Sequence, residues 1–371
     1  AGETIEMMLP EKKRFNTTPL LFIVDGAEAV VVLDGDVVTW TNDSAEEKSL
    51  EVYFSKWTLG KIAALRDSGV VAPVEGYLDT LDPEAVSVFI NKTHEEYKKC
   101  IGEGFGEYVK GIFTDEVVTS YLARQKGEEE MIMLPWTRLF LDKFIERNSY
   151  DIRPRLSELF NNTSPKLNVD YWETVSDLFM DAFMSMTYDW CTENKLIYTG
   201  HINGEESIQY NVFISGDPYE YYKRFTWPGI DTICTYYRMN DYSYNITAKL
   251  ASSAAHFLGK ERVLSETFTI SGWDIRLRDM KRVFNRLALL GITFIQYMGS
   301  RYDFSPAKDN SSMTNNWQNP LFKHYRELSR YISGIQWLIA NTTYHAKVLL
   351  FYPVTTVRAE LSQFPKNPYG G

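Results

Sequence analysis

Cysteine is scarce in this sequence. The 371 residues include only three cysteines, Cys100, Cys191 and Cys234, which lie far apart and form no C-x-x-C pair. An odd, scattered set of this kind excludes a disulfide framework and a cysteine-based metal site. We expect three partly buried thiols without a chemical role.

Clustered positive charge and long apolar runs are also lacking. The chain has 39 basic and 49 acidic residues, a formal net charge of −10, and its longest basic cluster is Lys12-Lys13-Arg14. Because binding to a phosphate backbone needs clustered positive charge, nucleic acid is excluded as a partner. No stretch reaches the ~18 apolar residues of a membrane span. The longest apolar runs, such as Val348–Tyr352, have the length of a strand.

A secretion signal and a dinucleotide-binding loop are missing as well. The chain shows no basic-then-apolar secretion signal. Its localisation stays open, and the periplasm or the extracellular space is slightly favoured over the cytoplasm. The glycines of Gly102–Gly106 follow a helical pattern and precede a strand, which is the wrong order for a dinucleotide-binding loop. We therefore expect no nucleotide cofactor.

The patterns that are present divide the chain into two parts. Residues 1–70 predict an N-terminal segment with a small antiparallel β-rich unit, because short β-branched runs alternate with turn signals such as Asp25-Gly26. In residues 71–371, helical patterns alternate with short buried strands, which is typical of an α/β fold around a parallel sheet. The predicted parallel strands are Lys110–Thr114, Leu196–Gly200, Ile230–Cys234, Arg262–Ser265, Thr293–Tyr297 and Val348–Tyr352.

Acidic residues gather where the predicted strands end. Asp115 and Glu116 follow the first of them, His201 and Glu205 follow the second, and Glu266 follows the fourth. The carboxyl ends of parallel strands form the active-site face of a (β/α)8 barrel and the ligand edge of a doubly wound sheet, so both architectures remain open.

Paired carboxylates beside aromatic rings favour glycoside hydrolysis. One carboxylic acid protonates the departing oxygen, and a second carboxylate attacks the sugar or activates water. Tyrosine, phenylalanine and tryptophan make up 15% of the chain, and such rings stack on the apolar faces of sugars. The expected substrate-binding residues are Asp115, His201, Asn203, Trp273, Tyr297, Arg301 and Tyr302.

The sequence gives less support to metal-dependent and Schiff-base chemistry. His201 with Glu205 is a metal pair without a third ligand, so no metal is expected. Schiff-base chemistry needs a lysine at a strand end, whereas Lys110 and Lys347 stand at strand beginnings. A lyase or an isomerase on the same fold remains an alternative.

Five strings in one order resemble the TIM-barrel glycoside hydrolases of the α-L-rhamnosidase type, family 106. The strings are Tyr77–Val86, Gly111–Glu116, Thr199–His201 with Gly204-Glu205, Pro228–Asp231, and Leu264–Phe268 followed by Ser271–Trp273. The resemblance extends from about Leu20 to Thr355. It departs from the family at Val117, where a proline commonly follows the Asp-Glu pair, so we do not transfer the substrate.

The resemblance implies a (β/α)8 TIM-type barrel with the β-rich unit as an insertion. The six predicted strands would be the third to the eighth, and we expect the barrel to lack its first two strands. Glu116 would be the general acid and Glu266 the base or nucleophile, and which of the two has which role stays open. Glu205 would be the alternative catalytic carboxylate. The family is associated with calcium, but no oxygen-rich calcium loop is found in the sequence. A carbohydrate-binding relative without activity is the alternative, and oligomerisation is open.

Overall fold

The computed structural model describes residues 2–8, 18–25, 27–35, 37–55, 78–119, 133–233, 243–268, 275–297 and 317–361. Its N-terminal strands are β1 (Glu3–Met8), β2 (Thr18–Val24), β3 (Ala27–Glu28), β4 (Val32–Asp34), β5 (Val37–Asn42) and β6 (Leu50–Ser55). They form two three-stranded antiparallel sheets, in the orders β1-β5-β4 and β3-β2-β6. These N-terminal strands are thus all antiparallel. The predicted boundary at residues 70 and 71 lies outside the described residues.

The second group of strands is parallel. It consists of β7 (Gly111–Thr114), β8 (Ile197–Gly200), β9 (Gly229–Thr232), β10 (Leu264–Thr267) and β11 (Phe294–Tyr297). β7 pairs with β8, and β10 pairs with both β9 and β11. A parallel bridge between Thr199 of β8 and Trp227, which precedes β9, joins the pair β7-β8 to the three strands β9, β10 and β11. The mixed α/β fold is therefore confirmed, whereas a closed barrel is not seen in the described part of the chain.

Helices occupy the intervals between these strands. They are α1 (Pro83–Lys92), α2 (His94–Ile101), α3 (Phe140–Asn148), α4 (Leu156–Phe160), α5 (Pro165–Phe179), α6 (Met186–Glu193), α7 (Ile208–Ser215), α8 (Pro218–Lys223), α9 (Ser243–Leu258), α10 (Leu277–Leu289), α11 (Tyr325–Ala340) and α12 (Val354–Glu360). A π-helical turn at Met180–Ser185 joins α5 to α6. None of the described helices combines the length and apolar character needed to cross a membrane.

The core is densest around α5. Apolar side chains at helical spacing in this part of the chain are buried, and Trp172 and Phe179 are among the largest fully buried side chains. Trp172 also donates a hydrogen bond from Nε1 to the carbonyl oxygen of Leu361, at 2.9 Å, which ties the end of α12 to α5. Each large apolar side chain buried in this way stabilises the fold by ~1.5–3 kcal/mol.

The predicted strand Val348–Tyr352 is wrong. This segment has no regular secondary structure, and the side chains of Val348, Leu349, Leu350 and Phe351 are 84%, 80%, 86% and 80% exposed. Before this segment, Tyr344 stacks on His256 of α9, with ring centroids 4.4 Å apart. An apolar run predicts burial, but a strand also needs a neighbouring backbone to satisfy its polar groups. No described strand pairs with the segment Val348–Tyr352.

Candidate active site

The site begins where β7 and β8 approach each other most closely. Gly200 ends β8 with φ +149°, and a Cβ atom there would lie 1.9 Å from the carbonyl oxygen of Thr114. Only glycine fits at this distance. The same Thr114 oxygen accepts a hydrogen bond from the backbone N–H of His201, at 3.3 Å. The close approach therefore fixes His201 beside Asp115, the residue that follows β7.

His201 lies at the centre of the cluster. Its Nε2 is 3.1 Å from Oδ1 of Asp115 and 3.2 Å from Oε2 of Glu266, and its side chain is 1% exposed. Burial lowers the pKa of the His201 imidazole, but the two carboxylates raise it more, so the pKa lies well above its ordinary value. In the absence of another cation, the ring is an imidazolium that bridges the ends of β7 and β10.

The pKa values of the two acidic residues after β7 are shifted in opposite directions. The neighbouring His201 holds the pKa of Asp115 below its ordinary value, so this carboxyl is ionised. Glu116 lies exposed at the rim, yet the surrounding protein removes enough water from its carboxyl to raise the pKa. Nearby carboxylates, including Asp115, raise this pKa further. A strongly ionised and a more weakly acidic carboxyl group thus stand side by side.

Glu205 is buried beneath this surface. Its side chain is 2% exposed, and its carboxylate accepts backbone N–H bonds from Ile202, at 3.2 Å, and from Asp231. Its backbone carbonyl accepts a hydrogen bond from the hydroxyl of Thr247 in α9, at 3.1 Å. Burial raises the pKa of Glu205 well above its ordinary value. These contacts link the loop after β8 to the end of β9.

Asp231 belongs to the site and was not assigned a role from the sequence. It stands opposite Glu266 in the parallel register of β9 and β10. Its Oδ1 accepts a hydrogen bond from the N–H of Ile233, at 2.8 Å. Burial raises its pKa to about 7, although His201 acts in the opposite direction. The strand-end signal used for Asp115 missed it, because the predicted strand Ile230–Cys234 placed Asp231 near its beginning, whereas β9 ends at Thr232.

The remaining expected substrate contacts are placed less directly. The side chain of Asn203 has no described polar contact, and its carbonyl oxygen accepts a hydrogen bond from Ser215. The ring of Tyr297 packs against Phe268 and Tyr325, with centroids 5.4 and 6.4 Å away. Trp273, Arg301 and Tyr302 lie outside the described residues. The structure thus brings together Asp115, Glu116, His201, Glu205 and Glu266.

An apolar groove extends from Glu266 along the face of the parallel sheet. It has a volume of about 630 Å³, and its walls include Phe113, Trp227, Leu264 and Phe294. Lys110 lies at the strand beginnings, at the opposite end from Glu266. The aromatic walls suit the apolar faces of sugars or other flat groups.

Calcium is the metal that the family resemblance implies, and this cluster does not fit it. Calcium takes six to eight oxygen ligands. Among the described residues, the group able to meet around one ion is Asp115, His201 and Glu266, whose ligand atoms lie within 4.8 Å of one another. A buried imidazole nitrogen is thus one of three donors, and the oxygen set that calcium prefers is not assembled by them.

Comparison with known proteins identifies the family of the chain. The family described as glycoside hydrolase family 106, alpha-L-rhamnosidase, matches residues 72–360. A solved structure of a rhamnosidase from Novosphingobium sp. PP1Y is similar to this fold, with a TM-score of 0.57 and 18% sequence identity. The similarity covers 83% of this chain and 28% of that rhamnosidase, so the chain spans under a third of its length. No curated protein matches in sequence. Because the family match extends over most of the sequence, the chain belongs to the alpha-L-rhamnosidase family, glycoside hydrolase family 106.

Proposed function

We propose that this chain is the catalytic region of a glycoside hydrolase that cleaves α-L-rhamnosides. The observation that carries the proposal is that Asp115, which stands between β7 and Glu116, meets Glu266 of β10 around His201, at 3.1 and 3.2 Å, within the segment that matches the family. Glycoside hydrolysis needs two carboxyl groups on either side of the scissile bond. The apolar groove beside Glu266 supports a carbohydrate substrate with a flat or partly apolar attached group.

Glu116 is the proposed general acid. Its raised pKa favours the protonated form, and its exposed position at the rim gives the departing group a path to solvent. In the first step its proton passes to the glycosidic oxygen while the bond from that oxygen to the sugar carbon breaks.

Glu266 is the proposed second carboxylate. Its Oε2 lies 3.2 Å from Nε2 of the buried His201, which holds the carboxylate at the end of β10. Glu266 either takes a proton from an attacking water or attacks the sugar carbon itself, and the two routes give inverted and retained products. Glu205 is buried and bonded to two backbone N–H groups, which supports a role in positioning the site.

We also propose that the five parallel strands belong to a TIM-type barrel. The parallel register of β7 to β11 and the helices between them support this architecture, as does the gathering of acidic groups at one end of the strands. A sugar-binding protein without turnover is the second candidate, favoured by the open succession of strands in the described residues.

Kinetics of paired variants test the proposal. Wild-type protein should release the alcohol from an alkyl α-L-rhamnoside, whose leaving oxygen needs a proton, and Glu116→Gln and Glu266→Gln should each lower kcat by about 10²- to 10⁴-fold. Glu103→Gln is the matched control, because Glu103 is exposed in the turn that precedes β7, at the opposite edge of the sheet. Rates like those of wild type in both site variants would refute the residue assignment. Binding of rhamnosides without turnover by wild-type protein would favour the second candidate.

A further inference from the structure

We propose that Asp115, His201 and Glu266 form a binding site for a divalent transition-metal ion of the zinc type, which discriminates against calcium. The functional consequence, that such an ion occupies Glu266 and inhibits hydrolysis, rests on the proposed function. The binding itself does not.

The distances between the donor atoms fit such an ion. Zinc binds imidazole nitrogen and carboxylate oxygen at about 2.0–2.2 Å in tetrahedral geometry, which separates neighbouring ligand atoms by about 3.4 Å. Nε2 of His201 lies 3.1 Å from Oδ1 of Asp115 and 3.2 Å from Oε2 of Glu266. Small side-chain shifts therefore suffice to admit the ion, without movement of the strands.

The buried imidazole provides an independent observation. His201 is 1% exposed, and its Nε2 makes no aligned hydrogen bond within the described part of the chain, although two carboxylate oxygens are close. The contacts of this nitrogen with Asp115 and Glu266 are therefore ion pairs that lack the alignment of good hydrogen bonds, a costly arrangement for a buried polar atom. A cation between Nε2 and the two oxygens would satisfy all three atoms.

The other ring nitrogen has the surroundings of a metal-binding histidine. Nδ1 of His201 lies 3.4 Å from the carbonyl oxygen of Ile202. Ligating histidines usually direct their second N–H to a carbonyl or a carboxylate, which leaves the lone pair of the first nitrogen for the metal. With Nδ1 protonated, the Nε2 lone pair would face the carboxylates of Asp115 and Glu266.

The donor set decides which ion is favoured. One imidazole and two carboxylates suit zinc and its first-row neighbours, whereas calcium and magnesium prefer oxygen donors alone. Asp115 has an 80% exposed side chain, so solvent can reach the ion and fill a fourth position. Three protein ligands with one open position is the usual arrangement of reactive zinc sites.

The consequence for catalysis follows from Glu266. A carboxylate bound to an ion cannot act freely as the base or nucleophile of hydrolysis. Zinc should therefore inhibit rhamnoside cleavage, and a chelator should restore it, while calcium should do neither.

Titration of the tag-free, chelator-treated protein with Zn²⁺, Co²⁺ and Ca²⁺ tests the site. We expect one equivalent of Zn²⁺ to bind by calorimetry, Co²⁺ to produce the visible absorption of a four-coordinate nitrogen and oxygen site, and Ca²⁺ to give no heat. His201→Ala should weaken binding by more than the roughly 10–100-fold lost when an outer partner of a ligand is removed. His324→Ala is the matched control, because His324 is exposed beside α11.

Each outcome has a distinct meaning. Binding of Zn²⁺ that persists in His201→Ala, or equal binding of Ca²⁺ and Zn²⁺ by wild type, overturns the proposal, as does the absence of Zn²⁺ and Co²⁺ binding by wild type. The wild-type comparison remains decisive if His201→Ala fails to fold. Specific Zn²⁺ binding in a protein that never cleaves rhamnosides supports the site and refutes only the proposed function.

Discussion

Replacing Glu205 by glutamine should destabilise the fold without removing activity altogether. The carboxylate accepts two backbone N–H bonds, from Ile202 at 3.2 Å and from Asp231, and it is 2% exposed. Glutamine has one acceptor oxygen, so one N–H group would face an amide NH₂ and lose its partner. A buried donor left without an acceptor costs about 1–3 kcal/mol, which should be the loss in free energy of unfolding.

The pH dependence of this loss follows from the raised pKa of Glu205. The group is protonated more readily in the folded than in the unfolded state, where its pKa is about 4.3. Its contribution to stability is therefore complete below the unfolded pKa and is lost as the pH rises through the folded pKa. Glutamine does not titrate. The loss in free energy of unfolding of Glu205→Gln relative to wild type should therefore be largest in acid and should shrink as the pH rises.

Urea unfolding of both proteins between pH 4.5 and 8.5 measures this difference. Glu103→Gln, an exposed control, should match wild type throughout. If Glu205→Gln unfolds at the same urea concentration as wild type at every pH, the double acceptor role is wrong. A fall in kcat as large as that of Glu116→Gln, with unchanged stability, would instead make Glu205 a catalytic residue.

Three further outcomes test other parts of the structure. Gly200→Ala should unfold far more easily than wild type in a thermal melt, because its Cβ atom would lie 1.9 Å from the Thr114 carbonyl oxygen; an unchanged Tm would refute the close approach of β7 and β8. Iodoacetamide should modify exposed Cys100 quickly and Cys191 only on unfolding, because burial raises the pKa of Cys191 to about 12. Equal modification rates of the two cysteines, measured by peptide mass spectrometry, would contradict this. Leu350→Ser should change the free energy of unfolding by no more than about 0.5 kcal/mol, since Leu350 is 86% exposed, and a larger loss would show that its side chain is buried.

The strand ends were the most predictable part of the site. Parallel strands align their carboxyl ends, so Asp115 and Glu266 could be expected at one edge from spacing alone, and they now lie on either side of His201. The same rule missed Asp231, because the predicted strand Ile230–Cys234 began one residue before it, whereas the strand in the structure ends one residue after it. The central place of His201 depends on the close contact between Gly200 and Thr114, which joins residues distant in sequence and leaves no local pattern.

The apolar run at Val348–Tyr352 shows the opposite case. Its composition favours a strand, yet the segment is exposed and unpaired with any described strand. Pairing is decided by the presence of a neighbouring edge, which composition does not encode. In α5, in contrast, the helical hydrogen bonds are local, and apolar residues at helical spacing, such as Trp172 and Phe179, are buried.

The most direct test of the central claim is proton NMR of wild-type protein incubated with an α-L-rhamnoside. We predict release of free L-rhamnose with one water taken up per bond cleaved, and the first anomer to appear identifies inversion or retention at Glu266. An unsaturated or isomerised sugar product, or no product from any α-L-rhamnoside supplied, would contradict the assignment of a rhamnoside hydrolase.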